Sequence, residues 1–203
     1  MRSLRSYLIT TLLRFTFKRQ KPGSVPLQQQ RDDFLKMMRK AFKQQPGISY
    51  TPEAIGGVNG EWARHEHYQG QRTILYFHGG GYVLGCAEAY RDLTGRLAVA
   101  SGAAVFAADY RLAPENPFPA ALEDATACYR ALLEQGVPPG AITIAGDSAG
   151  GGLTLATLLA LKQAGDPLPG SAICLSPWTD LAASGKTMTD HAAADPMLTP
   201  AAL

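Results

Sequence analysis

The 203-residue sequence predicts an α/β fold built on a doubly wound, mostly parallel sheet. Three observations predict it: short unbroken apolar runs, helix-length segments between them, and unusual residues just past the end of each run. The apolar runs are 73–77, 103–108, 141–145 and 172–175. Strands covered by helices on both faces read this way, because neither side of the strand meets water. The helix-length segments are 87–101, 119–135 and 149–164. Residues 57–67 alternate apolar with polar, which predicts an earlier strand on the outer side of the sheet, antiparallel to its neighbour.

Upstream, residues 1–50 predict two amphipathic helices. Leu8, Leu12 and Phe15 recur at helical spacing, as do Phe34, Met37, Met38 and Ala41. The stretch from Pro22 to Gln30 breaks the first helix, and Pro46-Gly47 ends the second. Residues 1–50 carry 11 Lys/Arg against Asp32 and Asp33, a balance of +9, whereas 51–203 carry 8 basic and 15 acidic side chains, a balance of −7. Such a basic amphipathic stretch either packs on a neighbouring domain, which is the favoured reading, or rests on a membrane surface through residues 1–20. Tyr7 to Leu13 is too short to span a bilayer, and no small-residue cleavage site follows it. No aromatic-interleaved basic patch is present, so nucleic acid is not an expected partner.

Composition excludes other classes. At 46% hydrophobic and 18% charged, the chain is too apolar for disorder. Cys86, Cys128 and Cys174 are odd in number and lack CxxC or Cys/His spacing, so neither a disulfide framework nor a metal site is expected. Reduced thiols in a cytoplasmic protein are the plain reading.

The unusual residues sit where ligands bind in such sheets, outside the carboxyl ends of the strands. Gly146-Asp147-Ser148-Ala149-Gly150 joins the run 141–145 to a helix-length segment. A sharp strand-to-helix turn of this type holds a serine in a strained conformation with its hydroxyl exposed, and the small flanking residues avoid clashes. A Gly-rich turn that binds phosphate is the competing reading, but no G-x-G-x-x-G or Walker-type lysine accompanies it. His78-Gly79-Gly80-Gly81 follows the run 73–77, and consecutive glycines bring backbone N–H groups close to a substrate. Together they suit acyl transfer, with Ser148 as nucleophile and the N–H groups of Gly79, Gly80 and Ala149 as oxyanion donors. His78 is expected to orient this loop by hydrogen bonding and Gly81 to serve its turn. Tyr82, Asp147 and Trp178 are candidates for the pocket wall, with core packing as the alternative for the two aromatics.

His78-Gly79-Gly80-Gly81-Tyr82, Asp109-Tyr110-Arg111-Leu112-Ala113-Pro114-Glu115, Phe118-Pro119-Ala120-Ala121, Gly146-Asp147-Ser148-Ala149-Gly150-Gly151 and Ser176-Pro177-Trp178-Thr179-Asp180-Leu181 together resemble the hormone-sensitive lipase family of α/β-hydrolases, particularly its bacterial acetyl-esterase-like members. The resemblance runs from about residue 70 to the end of the chain. It implies cofactor-free hydrolysis of small-acyl carboxylic esters. It also implies that residues 1–50 are a helical cap segment and 51–203 the N-terminal part of the hydrolase core, and it gives Arg111 an acidic partner.

The resemblance also implies a triad His and a carboxylate after Ser148, in that order reversed. His191 is the one histidine that follows, and Asp195-Pro196-Met197-Leu198 comes too soon after Trp178 to serve, so neither His191 nor Asp195 is assigned. The last strands are thus expected to be missing, leaving 172–175 as an apolar edge open to another copy of the chain. Three readings follow: a truncated esterase, a non-catalytic small-molecule-binding protein on the same scaffold, and a rearranged site with His191 as base.

Overall fold

Four strands run parallel in the middle and at one edge of the sheet: β3 (Thr73–Phe77), β4 (Ala104–Ala108), β5 (Ile142–Asp147) and β6 (Ser171–Leu175). On the far side β2 (Val58–His65) pairs antiparallel with β4, and β1 (Ile48–Ile55) antiparallel with β2. The order across the sheet is β1-β2-β4-β3-β5-β6. This computed structural model describes residues 3–16, 25–70 and 72–198.

Every residue of β3 and β4 is buried, because helices cover both faces. On one face, Leu75, Phe77, Phe106 and Ile144 pack with Cys128, Tyr129 and Leu132 of α4 (Ala120–Glu134) and Leu153 and Leu161 of α5 (Ala149–Ala164). On the other, Ile74, Tyr76, Val105 and Ala145 pack with Tyr90, which ends a 3-10 turn (Ala87–Tyr90), and Ala98 of α3 (Arg91–Ser101). Phe34, Leu35 and Met38 of α2 (Leu27–Ala41) lie over this second cluster. Each such side chain contributes about 1.5–3 kcal/mol by leaving water.

The chain divides into two compact units. Residues 31–179 form the larger, which holds the whole sheet. Residues 1–30 and 180–203 form the smaller, with α1 (Leu4–Thr16) and the short α6 (Thr187–Asp190). Within it, Arg14 donates to the Ala194 carbonyl at 3.2 Å. No helix among the described residues is long and apolar enough to cross a membrane.

The structure corrects three expectations at the N-terminal end. β1 was not foreseen; it is an edge strand with mostly exposed side chains and Pro52 within it, so it lacks a hydrophobic signature. α2 begins at Leu27, not after Gln30, because the Pro26 carbonyl accepts from the Gln30 N–H and opens the helix. Leu8 and Leu12 of α1 are 61% and 65% exposed where packing was favoured; helical spacing announces an apolar stripe but not what covers it. Pro22 and the Phe15 side chain lie outside the described residues.

β6 is an edge strand, with Ile173 and Leu175 exposed, and Leu155 and Leu159 of α5 are exposed as well. Burial therefore decides the effect of truncation. Phe106→Ala should lower stability by about 3–5 kcal/mol in urea titrations, whereas Leu159→Ala should stay within about 0.5 kcal/mol of the parent. Equal losses would contradict this placement of the core.

Candidate active site

β5 passes into α5 through Ser148, whose backbone sits at φ 52°, ψ −118°. A positive φ in a residue with a side chain costs roughly 1–3 kcal/mol, so the surroundings must hold it. Two glycines permit the turn. A Cβ on Gly146 would overlap the Gly150 carbonyl, and a Cβ on Gly150 would overlap the Phe77 carbonyl. Three backbone hydrogen bonds then fix the serine: its N–H donates to Leu175 at 3.0 Å, and its carbonyl accepts from Trp178 at 2.8 Å and Gly152 at 3.0 Å. Ser148 itself remains exposed. This is the strained, open serine that the sequence predicts. Among the described residues, none hydrogen-bonds its Oγ.

The glycine loop leaves β3 beside this turn and is tied to it by Asp147. One carboxylate oxygen accepts from Tyr76 Oη at 2.7 Å and from the Gly79 N–H at 2.8 Å. The other accepts from Tyr90 Oη at 3.3 Å. Burial, reinforced by the Asp147 charge, pushes both tyrosine hydroxyls far up, so they stay protonated and keep donating.

One of the three N–H groups expected as donors is already engaged within the fold. The Gly79 N–H is engaged by Asp147, whereas those of Gly80, Gly81 and Ala149 meet no acceptor among the described residues. Gly80 adopts φ +123°, which disfavours any side chain, and its carbonyl accepts from Val83 at 3.1 Å and Leu84 at 2.9 Å. Asp147, expected on the pocket wall, spends its carboxylate fastening the loop.

His78 is buried under the same loop. Its Nδ1 lies 2.8 Å from the Gly79 carbonyl. A carbonyl only accepts, so Nδ1 carries the proton, and Nε2 has no partner among the described residues. The ring stacks on Tyr110 at 4.4 Å between centroids, and Tyr110 Oη donates to the His78 carbonyl at 2.7 Å. Because the Gly79 carbonyl and the Gly80 N–H belong to one peptide plane, holding the first aims the second. Burial holds the imidazole pKa below its usual range.

Tyr82 stands at φ 63° with its ring 6.3 Å from Trp178 and 6.4 Å from Tyr110. Tyr82 and Trp178 are both partly exposed, which suits a pocket wall. Arg111 pairs with Asp124 and Glu123, each at 2.8 Å. His65 ends β2 and His67 follows it, exposed. His191 follows α6, and Asp195 caps a local turn by accepting from the Met197 and Leu198 N–H groups, both at 2.8 Å. Sequence reasoning missed Tyr76 and Tyr90, since an aromatic in a buried strand or turn reads as core.

Comparison with known proteins agrees with this fold. A family described as having the α/β hydrolase fold matches residues 74–203. An acetyl-hydrolase from Streptomyces hygroscopicus is 54% identical over 144 residues, covering 71% of this chain and 48% of its own length. An esterase from Acinetobacter venetianus is 36% identical over 169 residues, covering 83% of this chain and 55% of its own. Among solved structures, an esterase of the bacterial hormone-sensitive lipase family superposes with a TM-score of 0.90 at 35% identity, covering all of this chain and 67% of that one. The esterase EstE5, soaked with p-nitrophenyl butyrate, gives 0.87 at 42% identity, covering 97% and 65%. The chain belongs to the hormone-sensitive lipase family of α/β hydrolases. It spans about half the length of these curated relatives.

The buried imidazole has a consequence for stability. Its folded pKa lies below its unfolded value of about 6.5, so the unfolded chain binds the proton first as pH falls. Stability is whole above that pH and declines below it, by at most about 1.4 kcal/mol per pH unit. Urea titrations from pH 7 to 5 should show this decline, and His78→Gln should flatten it. An unchanged slope in the variant would remove His78 as the cause.

Proposed function

We propose that the protein is a serine carboxylic ester hydrolase acting on small acyl esters through an acyl-enzyme. The observation that carries this reading is the strained, exposed Ser148 next to the unengaged N–H groups of Ala149 and, on the loop tied to the same turn, Gly80. Ser148 Oγ attacks the ester carbonyl carbon, and the carbonyl oxygen takes up the negative charge. The N–H groups of Gly80 and Ala149 are the donors we assign to that oxygen, with Gly81 beside them. Collapse breaks the bond to the alkoxy group and releases the alcohol; water then repeats the attack on the acyl-serine. The names of the relatives support small acyl groups: one is an acetyl-hydrolase, and one solved esterase was soaked with a butyrate ester. Residues 1–50 are the segment we assign to the helical cap.

The serine proton needs a base. His78 does not suit that role, because its Nδ1 is spent on Gly79 and its Nε2 is buried among aromatics. We assign the base and its carboxylate to none of the described residues; the relatives are longer than the part of them that this chain covers. The 203-residue chain then keeps only the turn and the oxyanion donors, which support slow residual turnover. The lack of a partner for Ser148 Oγ among the described residues equally favours a second reading, a binding protein that holds small esters without cleaving them.

Hydrolysis of p-nitrophenyl acetate separates the two. The chain should show slow turnover that Ser148→Ala abolishes and that Gly80→Ala lowers by about 10²–10³-fold. Binding of the ester with no serine-dependent turnover would favour the second reading. Fast turnover would contradict the view that none of the described residues serves as the base.

A further inference from the structure

We propose that Arg31, on the N-terminal helix α2, is a positioning residue for the oxyanion turn and for Tyr82, acting as a clamp with Glu115. A single guanidinium holds three acceptor residues on two separate stretches of chain. Its Nε donates to the Val83 carbonyl at 2.8 Å. One Nη donates to the Ala113 carbonyl at 3.0 Å, and the two Nη atoms grip both oxygens of Glu115 at 2.9 and 2.8 Å. Every one of these acceptors lies in residues 83 or 113–115, and Val83 closes the turn that begins at Gly80.

Position, not stability, is what this clamp supplies. Glu115 is 55% exposed, and an ion pair in that setting adds little to folding. A two-pronged Arg–carboxylate pair does fix direction, however, because its planar fork admits one orientation. That direction matters at Tyr82, whose φ of 63° needs restraint from both sides. The Tyr82 carbonyl accepts from the Ala113 N–H at 2.9 Å, and the next carbonyl, that of Val83, accepts from Arg31. Residues 82 and 83 are thus held between the 113–115 loop and α2. The Val83 N–H in turn reaches the Gly80 carbonyl, so the restraint passes to the glycine whose N–H we assign to the oxyanion. Glu115 gains a role here as the residue that holds the guanidinium in place.

The test uses the full chain and two readouts, amide hydrogen exchange and the rate of Ser148-dependent acylation by p-nitrophenyl acetate. Arg31→Met should speed exchange of the Val83 and Leu84 amides at least tenfold while those of β3, β4 and β5 keep their protection. It should also slow acylation by about tenfold or more with little change in KM, since a small misplacement of a reacting group carries such a cost. Arg31→Lys should not rescue either readout, because an ammonium cannot span the three acceptors. Unchanged exchange and acylation in Arg31→Met, or full rescue by Arg31→Lys, would overturn the proposal. If Arg31→Met fails to fold, Glu115→Gln keeps the backbone contacts and should give a two- to threefold change in both readouts; no change would count against the clamp. The kinetic readout rests on the ester-hydrolase reading and the exchange readout does not. Absence of acylation in the parent chain would sink that reading, and exchange alone would then decide on Arg31.

Discussion

The contact between the Asp147 carboxylate and the Gly79 N–H is the constraint on which the rest of the site depends. It joins the last residue of β5 to the first glycine after β3, two neighbouring parallel strands whose ends must act together. Without it, the serine turn and the glycine loop would be separate features of one sheet edge. Tyr76 and Tyr90 hold the same carboxylate from below and from the side of the 3-10 turn, so its direction is set by three donors. A charged acceptor with several donors is stronger and better aligned than a neutral pair. The contact also engages the Gly79 N–H, while the next peptide is held through the His78 ring on the Gly79 carbonyl.

Much of the fold was legible because it rests on burial. The runs around Leu75, Phe106 and Ile144 are apolar since helices cover both faces, and that pattern survives in the sequence. β1 escaped notice for the opposite reason: an edge strand with exposed side chains has nothing to gain from alternation. Ser148 and the glycine loop were legible through residue types that only a sharp turn or a close approach requires. The engagement of Gly79 was not, because a backbone hydrogen bond leaves no mark on the identity of the residue that makes it. Arg31 escaped for a related reason. Two of its four bonds go to backbone carbonyls, and three of the four reach residues more than eighty positions away in the chain.

The edge at β6 shows a different kind of information. Ile173, Leu175, Leu155 and Leu159 are apolar yet exposed, a combination that a finished sheet normally avoids. The match covers 48% of the Streptomyces acetyl-hydrolase and 67% of one solved esterase.

The most direct test of the account is a crystal structure of the chain after reaction with a small alkyl fluorophosphonate, a stable mimic of the tetrahedral intermediate. The phosphorus should be bonded to Ser148 Oγ, with its charged oxygen about 2.7–3.1 Å from the N–H groups of Gly80 and Ala149, while Gly79 stays on Asp147. An adduct whose oxygen takes the Gly79 N–H away from Asp147, or one formed on any other residue, would contradict it.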